Sequence, residues 1–348
     1  MNRVSSGPSA AGWLFPAIAI LVAFVAPALL NSDYLFEAIL LPFLALSLAG
    51  VGLNVLMGYT GQLSLGSAAF LAIGAYAAFN LNLRVAWLPL PVTIVAAGIL
   101  AALVGLVFGL PSLRLRGFYL AVSTLAAQFF VQWALTKFPW FSNDSNSGVI
   151  DAPNLKVAGI SFVSPLGRYY FTLTIVVLLT ALSARIVTVK TGRDFMAVRD
   201  NETAAKIIGV PVLKSKLVAF AYSSFVIGVA GVLWAFAYLR TVEPDGFNLD
   251  RSFQILFIVI IGGLSTIRGA FFGAAIIVVL PLLLARASSA LVGGALDSGS
   301  LDMIQRIVIG VLIIGFLIAE PDGLAALSQR AANGLAGRVR PQASPTTR

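Results

Sequence analysis

The chain has 348 residues, of which 59% are hydrophobic and 11% charged, with a mean hydropathy of +0.95 and a net charge of +9. A soluble body of this size would carry about a quarter of its residues charged, so the composition excludes one and points to a polytopic membrane protein. There is no Cys and no His, which removes disulfides, thiolate chemistry, Cys- or His-ligated metals and the commonest general base.

Taken in chain order, apolar runs predict ten hydrophobic segments: 13–30, 35–57, 62–81, 88–110, 118–136, 168–189, 216–239, 253–267, 270–292 and 303–319. The fold class is therefore all-α, a transmembrane helical bundle of about ten spans. The first run follows Arg3, but it is long for a signal peptide and lacks a small-x-small cleavage site, so it reads as a first span. Segment 62–81 is polar at its start and 253–267 is short; both fit broken or re-entrant helices. With ten spans and both termini inside, most Lys and Arg fall on the inner face. The positive charge thus reads as topology, with no nucleic-acid partner and with membrane lipid around the bundle. The acids fall in loops or at helix ends, which disfavours a stand-alone secondary transporter with ion-coupling carboxylates.

Two connections are longer than turns. Residues 137–167, rich in Ser, Asn, Pro and Gly, predict a small external cap. Residues 190–215 (KTGRDFMAVRDNETAAKIIGVPVLKS) have helical character from Asp194 to Ile208. Asp200 or Asn201 can cap a helix over 202–208, and Gly209 followed by Pro211 ends it. Phe195, Met196, Val198, Ala204, Ala205, Ile207 and Ile208 supply its apolar set. The polar, basic stretch 329–348 reads as a disordered inner tail after a permease body over 1–328.

Polar groups inside apolar segments mark the candidate path. In GYTGQLSLGSAAFLAIGAYAA (58–78), Gly66, Ala68, Ala69, Ala72 and Gly74 suit close helix packing. Tyr59, Thr60, Gln62, Ser64 and Ser67 need partners or water. Gln62 and Ser64 are two apart and share no helix face, which predicts an unwound entry over 60–66 lining a cavity. Thr124, Gln128 and Gln132 do share one face, turned into the bundle. Ser223 and Ser224 can bond the carbonyl four residues back. GLVFG (105–109) and GAFFG (269–273) read as packing faces, and Gly262, Gly263 and Gly269 as a tight inner turn. The Gly-x-Leu-Ser runs at 61–64 and 262–265 suggest two pseudo-symmetric halves of about five helices.

Four ordered stretches resemble ABC-transporter permeases of the branched-chain amino acid class: LNVLMGYTGQLSLGSAAFLAIGAYAA (53–78), LRLRGFYLAVSTLA (113–126), GRDFMAVRDNETAAKIIGVPVLKSKLVAF (192–220) and IGGLSTIRGAFFGAAIIVVLP (261–281). The third is similar to the family's coupling loop, matched here by Gly192, Arg193, Ala197, Arg199, Glu202, Ala204, Ala205, Gly209 and Lys216. The resemblance implies one transmembrane subunit, the larger permease of a pair, in an ATP-driven importer of the bacterial inner membrane. It implies a second permease, two ATPase subunits docked at the coupling loop and a periplasmic substrate-binding protein. Branched-chain or other hydrophobic amino acids are the implied substrates, with urea, amides or aromatic acids as alternatives within the class. The chain itself has no G-x-x-x-x-G-K-[ST] phosphate loop, so ATP would be hydrolysed elsewhere, and no cofactor is expected. Two features depart from the family: TLAAQFF (124–130) has no carboxylate, and FSNDSNSGVIDAP (141–153) keeps only Gly148 of a glycine-rich signature.

Overall fold

A computed structural model describes residues 21–25, 32–85, 87–112, 117–145, 149–153, 155–157, 160–291, 298–319 and 323–324. The helices are α1 (Asp33–Tyr59), α2 (Ser67–Arg84), α3 (Leu90–Ser112), α4 (Phe118–Lys137), α5 (Pro165–Thr188), α6 (Lys190–Asp200), α7 (Glu202–Ile207), α8 (Val212–Leu239), α9 (Leu249–Gly262), α10 (Ile267–Leu291) and α11 (Ser298–Ala319). The result is an all-α polytopic bundle. Among the described residues, six helices are long and apolar enough to cross a bilayer: α1, α3, α4, α5, α8 and α10. The full count of ten spans does not follow from this. Of the first predicted segment only 21–25 is described, as helix, and the predicted tail 329–348 lies outside the described residues.

Two helices form the centre. α1 and α8 are buried over most of their length, whereas most of α5 and α10 faces outward. α8 packs on α1, α2 and α3; α1 also receives α5, α9 and α10. Because lipid is as apolar as Leu, the outward helix faces stay hydrophobic and close approach comes from small residues. A Cβ on Gly74 would sit 2.0 Å from the Gly228 carbonyl oxygen, and one on Gly231 would sit 2.0 Å from that of Leu71. The α2–α8 contact is thus backbone against backbone. The two G-x-x-x-G faces pack as expected, Gly105 on Ser224 and Gly273 on the Ile258 carbonyl.

Three expected boundaries or contacts shift. Residues 61–66 are non-helical, so the third segment begins at Ser67 instead of 62. The predicted 253–267 begins earlier, at Leu249, because the Asn248 side chain accepts from the Arg251 amide and caps the helix there; it ends at Gly263, whose φ is +110°. Its 14 residues span only about 21 Å, short of the roughly 30 Å hydrocarbon layer. Among the described residues, Ser223 and Ser224 make no hydrogen bond through their hydroxyls; they are small packing residues on α8, with Ser224 against Gly105.

At the bundle end away from α6 and α7, the strand Ile150–Asp151 (β1) pairs antiparallel with Thr241–Val242 (β4). Lys156–Val157 (β2) pairs with Ile160–Ser161 (β3) in a hairpin. The β1–β4 ladder ties the 137–167 connection to the link between α8 and α9. Below it, buried Arg168 donates to the Ala237 carbonyl at 2.9 Å and pairs with Glu37, fastening α5 to α1 and α8.

Candidate functional site

The polar residues singled out in the sequence collect in two layers, both closed in this conformation. The deeper layer joins the start of α2 to α4 and α9. Thr124 Oγ1 accepts from the Leu65 amide at 2.9 Å, and Gly66 lies so close to the Thr124 carbonyl that a Cβ would be 2.5 Å away. Ser252 Oγ accepts from the Ala68 amide at 2.9 Å and donates to Gln128 Oε1 at 3.1 Å, while Gln128 Nε2 donates to the Phe247 carbonyl at 2.8 Å. Ser64 Oγ accepts from the Gly66 amide at 3.4 Å. Ser67 is buried beside this layer with its hydroxyl unpartnered among the described residues. Gln132, one turn further along α4, is only half-buried and lies outside the network.

The second layer lies where α6 and α7 meet the bundle. Thr60 Oγ1 donates to the Leu56 carbonyl, and Gln62 Nε2 donates to Thr60 Oγ1 at 3.2 Å and to the Lys216 carbonyl at 3.3 Å. The backbone of Ile267 hydrogen-bonds the Tyr59 phenol. Tyr59, Thr60, Gln62 and Ser64 are therefore packed groups with protein partners in this conformation; Tyr59 and Thr60 end α1, and Gln62 and Ser64 lie on the non-helical 61–66 backbone, one residue shorter than the expected 60–66.

The α6–α7 module is built around a break at Asn201. Its side-chain oxygen accepts from the Thr203 and Ala204 amides, which ends one helix and starts the next. Four of the motif residues turn inward. Gly192 is buried where α5 turns into α6, with room for no Cβ against the Val187 carbonyl. Ala205 packs with Val198 and Val212. Glu202 pairs with the buried Lys216 at the start of α8. Arg199 reaches furthest: its Nη1 donates to the Gly58 carbonyl at 3.1 Å and to Ser265 Oγ at 2.6 Å. Ala197 is half-buried, and Arg193, Ala204 and Gly209 are exposed. Gly209 has φ +83°, a turn that only glycine takes without strain.

Residues not singled out in the sequence complete this junction. Asn54, buried in α1, donates to the Thr266 carbonyl at 2.8 Å and accepts from the Ser265 amide at 2.9 Å. Ser265, at φ +60°, also donates to the Gly58 carbonyl at 2.7 Å. Arg199 thus grips the end of α1 and the α9–α10 turn at once, and the two Gly-x-Leu-Ser stretches are brought to one place. Ile207 and Ile208, expected among the apolar set of the helix, point outward instead, 81% and 73% exposed. The short α7 has one inward face, and Ala205 occupies it. An Asn four residues ahead of a tight turn is the one sequence signal for the Asn54 link, and it is weak.

The family described as the permease component of branched-chain amino acid transport systems matches residues 35–317. The high-affinity branched-chain amino acid transport system permease protein LivM of Escherichia coli K12 is 31% identical over 306 residues, covering 80% of this chain and 67% of the relative. Its namesake from Salmonella typhimurium is 32% identical over 256 residues, covering 66% of this chain and 59% of the relative. A probable LivM from Methanocaldococcus jannaschii is 25% identical over 290 residues, covering 72% and 81%. The chain thus spans only about three fifths to two thirds of the two bacterial relatives' length. No solved structure matches it. The match across most of the chain, on an all-α membrane bundle, makes this protein a member of the branched-chain amino acid transport permease family.

Proposed function

We propose that the chain is one transmembrane subunit of an ATP-driven importer for branched-chain or other hydrophobic amino acids. The observation that carries the reading is the Arg199 junction. A module outside the spans hydrogen-bonds directly to the ends of α1 and α9, which enclose the polar layers. A push on that module reaches the path through a few short, charge-assisted contacts. The module's outer face, with Ile207 and Ile208 beside Arg193 and Lys206, is the surface on which an ATPase subunit would dock. Basic residues in this loop support a cytoplasmic position for it at the inner membrane, with both termini inside. The β1–β4 end would then receive solute from a periplasmic binding protein, and a second permease would supply the other half of the path.

Affinity purification of the chain from its native membrane tests the assembly. Two ATPase subunits and a second permease are expected to co-purify, and vesicles carrying the assembly with its binding protein should accumulate leucine only with ATP inside. A lone chain that moves solute without ATP would instead indicate a secondary transporter. Ile207→Asp places a charge on the docking face without touching the inward contacts, and should abolish ATPase co-purification while the amount of inserted permease stays normal.

Gln62→Leu removes the donors to Thr60 and Lys216, worth about 1 kcal/mol together in net terms. Uptake at equal membrane levels should fall several-fold, and unchanged kinetics would return the 58–65 stretch to plain packing.

A further inference from the structure

Arg251 is a cation inside a short membrane helix, and the junction described above does not use it. It sits in the first turn of α9, a half-buried side chain whose guanidinium carbon lies 4.2 Å from the centre of the Trp234 ring. Its Nη1 donates to Gln254 Oε1. It pairs with no carboxylate among the described residues; the neighbouring Asp250 is taken by Arg306 at 3.1 Å. Among the described residues, the Arg251 Nε and the indole Nε1 of Trp234 are both buried donors without an acceptor. Trp234 itself is almost wholly buried, its ring tilted 56° against that of Tyr238 with centres 4.7 Å apart.

A guanidinium with a buried N–H is costly unless it meets water, a counter-charge or a ligand. Two orphaned donors in one stacked pair call for the same thing, an acceptor bearing negative charge. Arg is the side chain best shaped to bind a carboxylate through two parallel N–H bonds. On the next residue, Ser252 is hydrogen-bonded into the deeper polar layer through Ala68 and Gln128, so the arginine adjoins the candidate path.

We propose that Arg251, stacked on Trp234 with Gln254 beside it, is a carboxylate-recognition site for the transported solute within the membrane. This rests on the import reading and adds to it the chemical group recognised on the way through. Cation–π contact with Trp234 holds the guanidinium in place between solutes, and the unpaired N–H groups become satisfied when a carboxylate arrives.

The test uses the full chain in its co-purified assembly in phosphatidylcholine nanodiscs, labelled with 5-fluorotryptophan, with the Trp234 fluorine resonance assigned by Trp234→Phe. Isovalerate and leucine should shift that resonance, and isovaleramide, which differs from isovalerate only in its neutral head, should not. Arg251→Gln should remove the response. In ATP-driven leucine uptake Arg251→Gln should lose about tenfold or more, the scale of removing one partner of a desolvated charge pair. Arg251→Lys should recover part of the loss.

No shift with either carboxylate overturns the proposal. So does an equal shift with chloride, or a response only to added phosphatidylglycerol, which would mark a headgroup site. A Trp234 resonance set solely by the presence of the second permease would assign the counter-charge to that partner and also overturn it. Failure of the wild-type assembly to accumulate leucine would strike the substrate reading above, while the isovalerate titration still decides the role of Arg251.

Discussion

Gly74→Val should leave almost no folded protein in the membrane. The β-carbon it adds would lie 2.0 Å from the Gly228 carbonyl oxygen, and the next nearest atoms, at 2.5 and 2.7 Å, are also backbone. No side chain there can swing aside, so α2 and α8 would have to part by more than an ångström along their crossing. That contact is a principal one for α8, the helix around which α1, α2 and α3 assemble. Overpacking a site that can yield costs about 1–3 kcal/mol, and one bounded by main chain lies above that range, a large share of total stability. The expected readout is loss of the monodisperse peak in detergent and rapid proteolysis in cells. Gly310→Ala, where a β-carbon meets nothing within 4 Å, serves as the control and should accumulate normally.

Arg199→Ala should give the opposite phenotype, an assembled protein that does not work. The residue lies outside the spans, and its loss opens no cavity in the membrane core. What disappears is the pair of hydrogen bonds to the Gly58 carbonyl and Ser265 Oγ, the former satisfied in part by Ser265 itself, together with the exposed ion pair to the neighbouring Asp200 at 2.8 Å. At an exposed side chain solvent screening reduces such charge-assisted bonds to about 1–2 kcal/mol together, which loosens the junction by about tenfold. ATPase subunits should still co-purify and hydrolyse ATP, while leucine accumulation in vesicles falls at least about tenfold. Arg199→Lys keeps the charge but cannot span both acceptors from one planar group, and should restore only part of the transport. Transport at the normal rate in Arg199→Ala would show that motion reaches the path by another route, the Glu202–Lys216 pair being the next contact to remove.

Much of the architecture was legible because membrane helices announce themselves by length and hydropathy. The cap at Asn201 and the stop at Gly209 were readable from residue type alone, and Gly66 and Gly74 pack as small residues in a bilayer must. The path residues were harder. Gln62, Thr124 and Gln128 stand out as polar in an apolar run, but each has a partner 59 to 154 positions away along the chain, and no local pattern carries that pairing; Ser64 bonds locally, to the Gly66 amide. Arg251 was missed for a particular reason. Asp250 and Arg251 look like loop residues ahead of an apolar run, so the helix start was placed at 253. The Asn248 cap moves it back one turn and puts the arginine inside. Ile207 and Ile208 belong to the apolar set by residue type, but type alone does not say which of that set faces inward, and a helix of six residues has only one inward position to fill.

The turn that Arg199 grips is not α-helical. Val55–Tyr59 is a π-turn, and so is Trp234–Leu239 on the other central helix. A π-turn carries one residue more than the α-helical turn it replaces. Returning that residue to α geometry would rotate everything beyond it by about 100° and advance it by about 1.5 Å. The first central helix therefore holds a stored unit of travel at each end, at Phe36–Leu40 and at Val55–Tyr59, and the second holds one at Trp234–Leu239. Drawing the stored residue in would swing Tyr238 off the face of Trp234 while leaving the rest of the span in register. The bundle could thus change the walls of its path in a discrete step, a ratchet of one residue, without sliding any helix along its neighbours.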